Sequence, residues 1–419
     1  MGVSVPEIKN LNELVRDVVE SDKKVTDVEV SRLTGPGENY GSCMLKVDIT
    51  LQRKSDGCTE VLHTVAKLIP EMELFRQIFQ IQTTVKSEIA FYDVVIPTLQ
   101  DFQREHGITN VIGCFPKLYA ARLNLKEDSD VVDEDAVLLF ENLNTKGFKN
   151  INRFEGFDLE GAKLVLKDLA SLHAVPLALR LQKPNVFAEK VKKHMHVHAP
   201  PPPPPSEDDK PKPTDTFLEI CRDSEECAPY MPEVEKIITH FKENPEFMWK
   251  RTPPNETWAT LSHGDMWVNN TMQRFEEGRI IENKFVDFQM YRYETPVKDL
   301  LFFLWTSCRV DVLKNHFDNL LKHYHANFVK ILEELGCNTT PYRSEKFNSE
   351  VEASAARTVF QALFFSMFVV QAKKKDMSEI GKPPSMVILK EDVNPLLIEK
   401  IAYAISYYGK KNLLKMDFQ

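Results

Sequence analysis

The sequence predicts an α+β fold in two unequal parts, a small antiparallel sheet followed by a larger, mainly helical body. Three observations carry that expectation. Strict alternation of apolar and polar side chains is confined to the first 140 residues, and helical periodicity takes over after Leu143. The chain's 419 residues also exceed what a single small core organises.

The elements follow in chain order. In "MLKVDITLQR", Leu45, Val47, Ile49 and Leu51 alternate with Lys46, Asp48, Thr50 and Gln52, the period of a half-buried strand. Asp56 and Gly57 then mark a turn into a partner strand, "EVLHTVAKLI", so the pair is expected to form an antiparallel hairpin. From "EMELFRQIFQIQTTVKSEIAFYDVVIPTL" the period becomes helical, with a stop expected at Pro97. Two further strands are expected near 116–122 and 136–140. The acidic "EDSDVVDED" between them reads as a solvated loop.

Beyond Leu143 the segments "LEGAKLVLKDLASLHA", "VEKIITHFKE", "VLKNHFDNLLKHYHANFVKILEEL", "SEVEASAARTVFQALFFSMFVVQAKKK" and "NPLLIEKIAYAISYYG" predict helices. In the third, Leu313, Phe317, Leu320, Tyr324, Phe328 and Ile331 fall near one face, so helix is expected to pack on helix. Residues 194–213, "HMHVHAPPPPPPSEDDKPKP", interrupt this pattern. Consecutive prolines cannot join a helix or a central strand, and the segment is expected to be an exposed excursion. His194, His196 and His198 share one side of it when extended, but no carboxylate or cysteine is spaced to complete a metal shell.

Composition excludes several function classes. A net charge of -9 does not suit a general nucleic-acid binder. Seven cysteines, scattered and without a CxxC pair, read as reduced thiols, so a cytosolic protein is expected. "MGVSVPEIKN" lacks the charged and apolar regions of a secretory signal, and Pro6 stands where a myristoylation pattern wants Ser or Thr. The longest apolar runs, such as "ALFFSMFVV", reach about half of a bilayer span. No membrane partner is expected.

Four separated features bear chemistry. "TGPGENYGS" is a glycine-rich turn in which Gly35, Gly37 and Gly41 let backbone N–H groups approach a phosphate. Lys67 follows in "VAKLI" on the partner strand, and Glu88 in "KSEIAFYDVV" could hold that lysine by an ion pair. Last come "HGDMWVNN" and "FVDFQ", where a return strand lets Asp265, Asn270 and Asp287 converge at the ends of a short hairpin. Two carboxylates and an amide have the inventory for phosphoryl transfer: one carboxylate to accept the proton of an attacking hydroxyl, the other two groups to offer hard oxygen atoms to Mg²⁺.

The HGDxxxxN pattern of His263 to Asn270, followed 17 residues later by Asp287, resembles the signature of the aminoglycoside phosphotransferase and choline kinase superfamily. Protein kinases carry HRD and DFG, and here Gly264 and Gln289 stand in those places. More narrowly, "GPGENYGS", "VAKLIP", "SEIAFYDVVIP", "LLFENL", "SHGDMWVNN" and "VDFQ" resemble the ecdysteroid kinase-like (CHK-kinase-like) family over residues 35–289, and "TPVKDLLFFL" extends the likeness to 304. Nothing carries over to the proline run.

The resemblance implies a bilobal protein-kinase-like fold, with a nucleotide-binding lobe at 1–140, a hinge at 141–143 and a helical lobe at 144–419. It implies that Asp265 is the catalytic base and that Asn270 and Asp287 hold Mg²⁺. ATP would lie against Gly35, Gly37, Tyr40 and Ser42 of the glycine-rich turn, with Lys67 on its phosphates and Glu88 on Lys67. Backbone groups around Glu141 to Leu143 would receive the adenine edge. His263 is expected to brace the loop rather than carry a proton, and Asp299 to brace it from a helix opened by Thr295 and Pro296.

The implied activity is transfer of the ATP γ-phosphoryl group to a hydroxyl of an ecdysteroid or other lipophilic alcohol. Two alternatives stand beside it: a kinase of a cationic alcohol such as choline or an aminoglycoside, and a pseudokinase that binds nucleotide without turnover.

Overall fold

Five antiparallel strands build the sheet of the first part, and the alternation seen in the sequence decides which face of it is buried. The computed structural model describes residues 5–16, 18–33, 41–126, 128–195, 212–248, 251–370 and 388–416. Within them lie β1 (Lys23–Arg32), β2 (Cys43–Arg53), β3 (Thr59–Leu68), β4 (Leu118–Arg122) and β5 (Val137–Glu141), in the spatial order β1-β2-β3-β5-β4. Every second residue of β2 from Cys43 to Leu51 is buried, and Leu45, Val47 and Ile49 pack with Val137, Leu139 and Ala66. The β2–β3 hairpin pairs Met44 with Lys67.

The helix after β3 does not stop at Pro97. Ile81–Ala90 runs into a wider π turn, Phe91–Val95, and continues as Ile96–Glu105 with Pro97 near the start of that last piece. In an ordinary helix proline costs an i→i−4 bond, but the π turn has already disturbed that ladder. The Thr98 hydroxyl donates to the Val94 carbonyl at 2.7 Å and so satisfies one acceptor beside the break. Half of the acidic loop's described residues are exposed, and the loop is tied down where Val132 is buried: Gln82 exchanges side-chain bonds with the backbone of Val132.

The second part is organised around the helix Leu159–Gln182, which continues through Pro176 and packs along Val310–Glu334. On the latter, Leu313, Phe317, Leu320, Tyr324 and Phe328 are buried on one face. Helices Pro184–Lys190, Pro213–Arg222, Met231–Glu243, Pro296–Ser307, Ser344–Val369 and Pro395–Lys410 complete this body among the described residues. Two small sheets carry its polar loops: β7 (Thr260–Ser262) with β10 (Arg292–Glu294), and β6 (Phe148–Lys149) with β8 (Thr271–Glu276) and β9 (Arg279–Phe285). Neither β6 nor the β7–β10 pair shows in the sequence pattern, because strands of two or three residues are too short for a period.

All seven cysteines are free thiols. No described helix is long and apolar enough to cross a membrane. Gly35, Gly37, Tyr40, His196, His198 and the proline run lie outside the described residues. His194 ends a short 3-10 turn and is half-buried.

Candidate active site

Between β7 and β8 the chain makes a tight loop whose shape depends on one glycine. Gly264 has φ +85, and a Cβ there would lie 2.3 Å from the Met290 carbonyl oxygen, so no other residue fits without backbone movement. The loop is held from below by Asp299, in the first turn of the helix Pro296–Ser307. Its carboxylate accepts the backbone N–H groups of His263 and of Gly264, the latter at 3.1 Å. His173 donates to the same carboxylate at 3.2 Å and accepts from the Tyr324 hydroxyl at 2.7 Å. Burial alone would raise the Asp299 pKa, but these bonds and the nearby basic groups keep it below the usual carboxylate value.

His263 spends both ring nitrogens on the loop. Nε2 donates to the Val286 carbonyl at 3.0 Å, and Nδ1 accepts the Asp265 N–H at 3.3 Å. Burial lowers its pKa further, so the ring is a neutral brace.

Asp265 points out of this scaffold. Asn270 Nδ2 donates to its carboxylate at 2.9 Å and to its backbone carbonyl at 2.8 Å. Burial, then the charge of Asp287, pushes Asp265 up to about 7, with the Asn270 bond working the other way. A carboxyl poised there can take a proton from a hydroxyl near neutrality. Because the Asn270 nitrogen is spent on Asp265, its Oδ1 is turned away from that residue and is free to meet a cation.

The hairpin β8–β9 brings Asp287 back to the same place, and Val286 N–H closes it onto the Asn270 carbonyl at 3.0 Å. Asp287 adopts left-handed backbone angles, φ 68 and ψ 62, a conformation Asp tolerates better than most residues. Its Oδ1 accepts from Lys67 Nζ at 2.7 Å, and the same ammonium donates to Glu88 Oε2 at 2.6 Å. Phe288 N–H also reaches Glu88, and the Phe288 ring stacks on Phe91 at 3.7 Å, so one helix positions both the carboxylate and the turn behind it.

Burial works against the Lys67 charge, but Asp287 and Glu88 more than offset it and hold its pKa above the ordinary lysine value. Burial pushes Glu88 up. One ammonium thus faces two carboxyl groups, Glu88 and Asp287, and the Asp287 charge is felt in turn by Asp265. The excess of negative charge, with the outward Asn270 oxygen, is a donor set that suits a hard divalent cation. Mg²⁺ keeps several waters and takes few protein ligands, so Asn270 and Asp287 suffice on the protein side. Among the described residues no cluster of three His, Cys, Asp or Glu side chains forms a metal cage.

On the sheet side, Gly41 approaches this centre: a Cβ on it would lie 3.3 Å from Gln289 Nε2, and Ser42 follows just ahead of β2. At the end of β5 the side chain of Glu141 is already engaged, accepting Lys117 N–H at 2.9 Å and pairing with Lys146. The N–H groups of Glu141 and Asn142 are taken by the carbonyls of Lys117 and His63. Asn142 caps the next turn by accepting Asn144 N–H at 3.1 Å, which leaves the Leu143 N–H at the open start of that turn.

Sequence reasoning missed the basic side chain of Arg292, while the aromatic segments "LLFFLW" and "ALFFSMF" fit an apolar pocket and plain core equally well. Arg292, opposite Ser262 in the β7–β10 pair, reaches under the loop: its Cζ lies 3.5 Å from where a Gly264 Cβ would be. Trp267 packs edge-on against Phe365 at 4.9 Å, and Phe365 meets Phe302 at 5.2 Å. All three rings are half-buried. Only spacing on two helices far apart in the chain could have hinted at this wall, and such spacing reads equally as core.

A family model described as ecdysteroid kinase-like matches residues 36–337, well over half of the chain. Among solved structures, choline kinase from Cryptosporidium parvum Iowa II is 10% identical, over 92% of this chain and 89% of that one, with a TM-score of 0.36. A microcompartment-associated aminopropanol kinase is 10% identical over 93% and 94%, at 0.38. The GDP complex of aminoglycoside 2'-phosphotransferase-IIIa is 11% identical over 95% and 99%, also at 0.38. Likenesses this loose assign no residue.

A curated protein, the catalytic subunit of dihydroorotate dehydrogenase B (NAD(+)) from Saccharolobus solfataricus, is 30% identical over 117 residues. That stretch is 27% of this chain and 39% of the other, too small a share to transfer its fold or activity.

Proposed function

This chain belongs to the ecdysteroid kinase-like family, and we propose from that premise that it transfers the γ-phosphoryl group of ATP to a hydroxyl of an ecdysteroid or similar lipophilic alcohol. The observation that carries the reading is the convergence of Lys67, Glu88 and Asp287 on one side with Asp265 and Asn270 on the other. Mg²⁺·ATP, when bound, supplies the phosphoryl group and a metal charge that steadies it. Asn270 and Asp287 would hold that metal through oxygen atoms, and Lys67 would turn from Asp287 toward phosphate while Glu88 keeps it in place. The Leu143 N–H and neighbouring backbone would meet the adenine edge, with Gly35, Gly37, Tyr40 and Ser42 over the phosphates. Asp265 accepts the proton of the acceptor hydroxyl as the oxygen attacks, and Asp299 and His263 keep the loop in register for it.

The half-buried wall of Trp267, Phe302 and Phe365 supports an apolar acceptor, since Trp267 sits two residues from Asp265. Choline kinase, by its name, takes a cationic alcohol. The basic side chains near Asp265 disfavour such an acceptor here. Intact Lys67, Asp265, Asn270 and Asp287 speak against a pseudokinase. A thermal-shift panel with ADP·Mg²⁺ present tests the acceptor class. An ecdysteroid should raise the melting temperature and choline should not, and the reverse pattern would overturn this choice of acceptor.

A further inference from the structure

Away from the reaction centre the helical body holds a cavity of about 350 Å³, toward the small end of the range for small-molecule pockets. Lys67, Asp265, Asn270 and Asp287 do not line it, and neither does the wall of Trp267, Phe302 and Phe365. Its apolar walls are Phe154, Val310, Val370, Leu396 and Leu397. Between them stands Lys400, on the helix Pro395–Lys410. Leu397, three residues before it, and Ala404, four residues after it, are buried, so Lys400 lies on that helix's inward stripe.

The ammonium of Lys400 has no counter-charge there. It makes no hydrogen bond and no ion pair among the described residues. Burial brings its pKa down to about 8, and the one group acting the other way is Cys308, a thiol that burial itself pushes up to about 12 and so keeps neutral. The three acids of the lining are placed elsewhere. Glu399 pairs with Lys314 at 2.8 Å, Glu155 accepts from Asn152 at 3.1 Å, and Asp311 is exposed. An unpaired ammonium in such a place costs free energy that an arriving anion would relieve.

Two further features of the lining favour negative charge. Arg309 uses only Nε, on the Gly156 carbonyl at 3.2 Å, and Arg153 lies over the Phe154 ring at 5.2 Å; neither forms an ion pair among the described residues. Arg309 is also the N-cap of the helix Val310–Glu334, where no side chain caps the first turn, so the positive end of that helix opens on the cavity. The acids in the same lining would repel a dianion, so a single negative charge fits best.

We propose that this cavity is a second small-molecule site, for an amphipathic monocarboxylate whose head meets Lys400 and Arg309 and whose tail lies on Val370, Leu396 and Leu397. It stands apart from the kinase reading, because no residue of the nucleotide or acceptor site takes part.

The test titrates hexanoate and hexanamide, which share a tail and differ in charge, into wild type and Lys400→Met by calorimetry. A charge-assisted contact predicts that wild type binds hexanoate at least about tenfold tighter than hexanamide. Lys400→Met should bring the two together by weakening hexanoate alone. Carboxylates and guanidinium groups do not ordinarily titrate between pH 7 and pH 9. Cys308 and Lys314 are both held above that range, so Lys400 is the cavity's titrating group within it. An anion favours the charged amine. Hexanoate should therefore bind wild type about tenfold more weakly at pH 9 than at pH 7, and binding at pH 8 should take up about half a proton, read from buffers of different ionisation enthalpy. Lys400→Met should show neither effect, which a merely structural lysine would not explain. Equal affinities in wild type, no hexanoate binding, a flat pH profile, or a preference that survives in Lys400→Met overturns the proposal. Should that variant fail to fold, the wild-type pH profile decides alone.

Discussion

At the scale of single residues, the loop from His263 to Asn270 depends on what each position excludes. Gly264→Ala would force a Cβ toward the Met290 carbonyl at an already left-handed position, so it should cost roughly 2–4 kcal/mol in urea unfolding. Wild-type stability in that variant would mean the loop is looser than described.

Asp265 makes the opposite prediction. Its folded pKa of about 7 lies above the value near 3.9 expected when unfolded, so the folded state binds the extra proton. The group therefore costs nothing below pH about 4. Its cost grows as pH rises from the unfolded value to the folded pKa and is constant above it. Asp265→Asn should then be more stable than wild type at pH 8, by up to about 4 kcal/mol, and the gain should shrink toward pH 5. Turnover should depend on the same ionisation, rising as pH passes through about 7, and the variant should lose roughly a hundred- to ten-thousandfold. A variant less stable than wild type at pH 8 would return Asp265 to a bracing role.

The sequence made Asp265, Asn270 and Asp287 legible because one short hairpin joins them. It could not show His173, Tyr324 or Arg292, whose partners come from helices and strands remote in the chain.

At the scale of elements, β3 and the helix Ile81–Glu105 act together. β3 presents Lys67, the helix presents Glu88, and the π turn sets Phe91 under Phe288, next to Asp287. Glu88→Gln keeps the shape but loosens the lysine, and should lower turnover by about ten- to a hundredfold, the range typical of groups that orient a primary contact. Lys67→Ala should cost more, because it removes the phosphate contact and leaves Glu88 and Asp287 facing each other. Equal losses in both variants, or none in Lys67→Ala, would contradict this division of roles, as steady-state kinetics on folded protein would reveal.

The strand β2 could be read in the sequence because Leu45, Val47 and Ile49 share one buried face. Pro97 misled for a physical reason: a π turn just before it had already broken the ladder that proline disrupts. The strands β6, β7 and β10 carried no signal at all, being set by tertiary pairing rather than by period.

At the scale of the whole molecule, the sheet and the helical body meet through the Lys67–Asp287 ion pair, and nucleotide with metal would bind across that meeting. A ligand stabilises the state it binds, by about 2.7 kcal/mol at a hundredfold excess over its Kd. ATP should therefore raise the melting temperature far more with Mg²⁺ than with EDTA, and Asp287→Asn, which suits the same backbone angles but removes the one carboxylate proposed to hold the metal, should remove most of that difference. Equal shifts with and without Mg²⁺ would sink the metal assignment.

The most direct measurement of the central claim is transfer itself. Purified wild type and Asp265→Asn are incubated with Mg²⁺ and γ-labelled ATP in the presence of an extract of lipophilic alcohols, and labelled organic products are resolved. The wild type should place label on the hydroxyl of an organic acceptor, while the folded, nucleotide-binding Asp265→Asn protein should not. Label that stays in ATP and inorganic phosphate with wild type, or equal transfer by both proteins, would contradict the account.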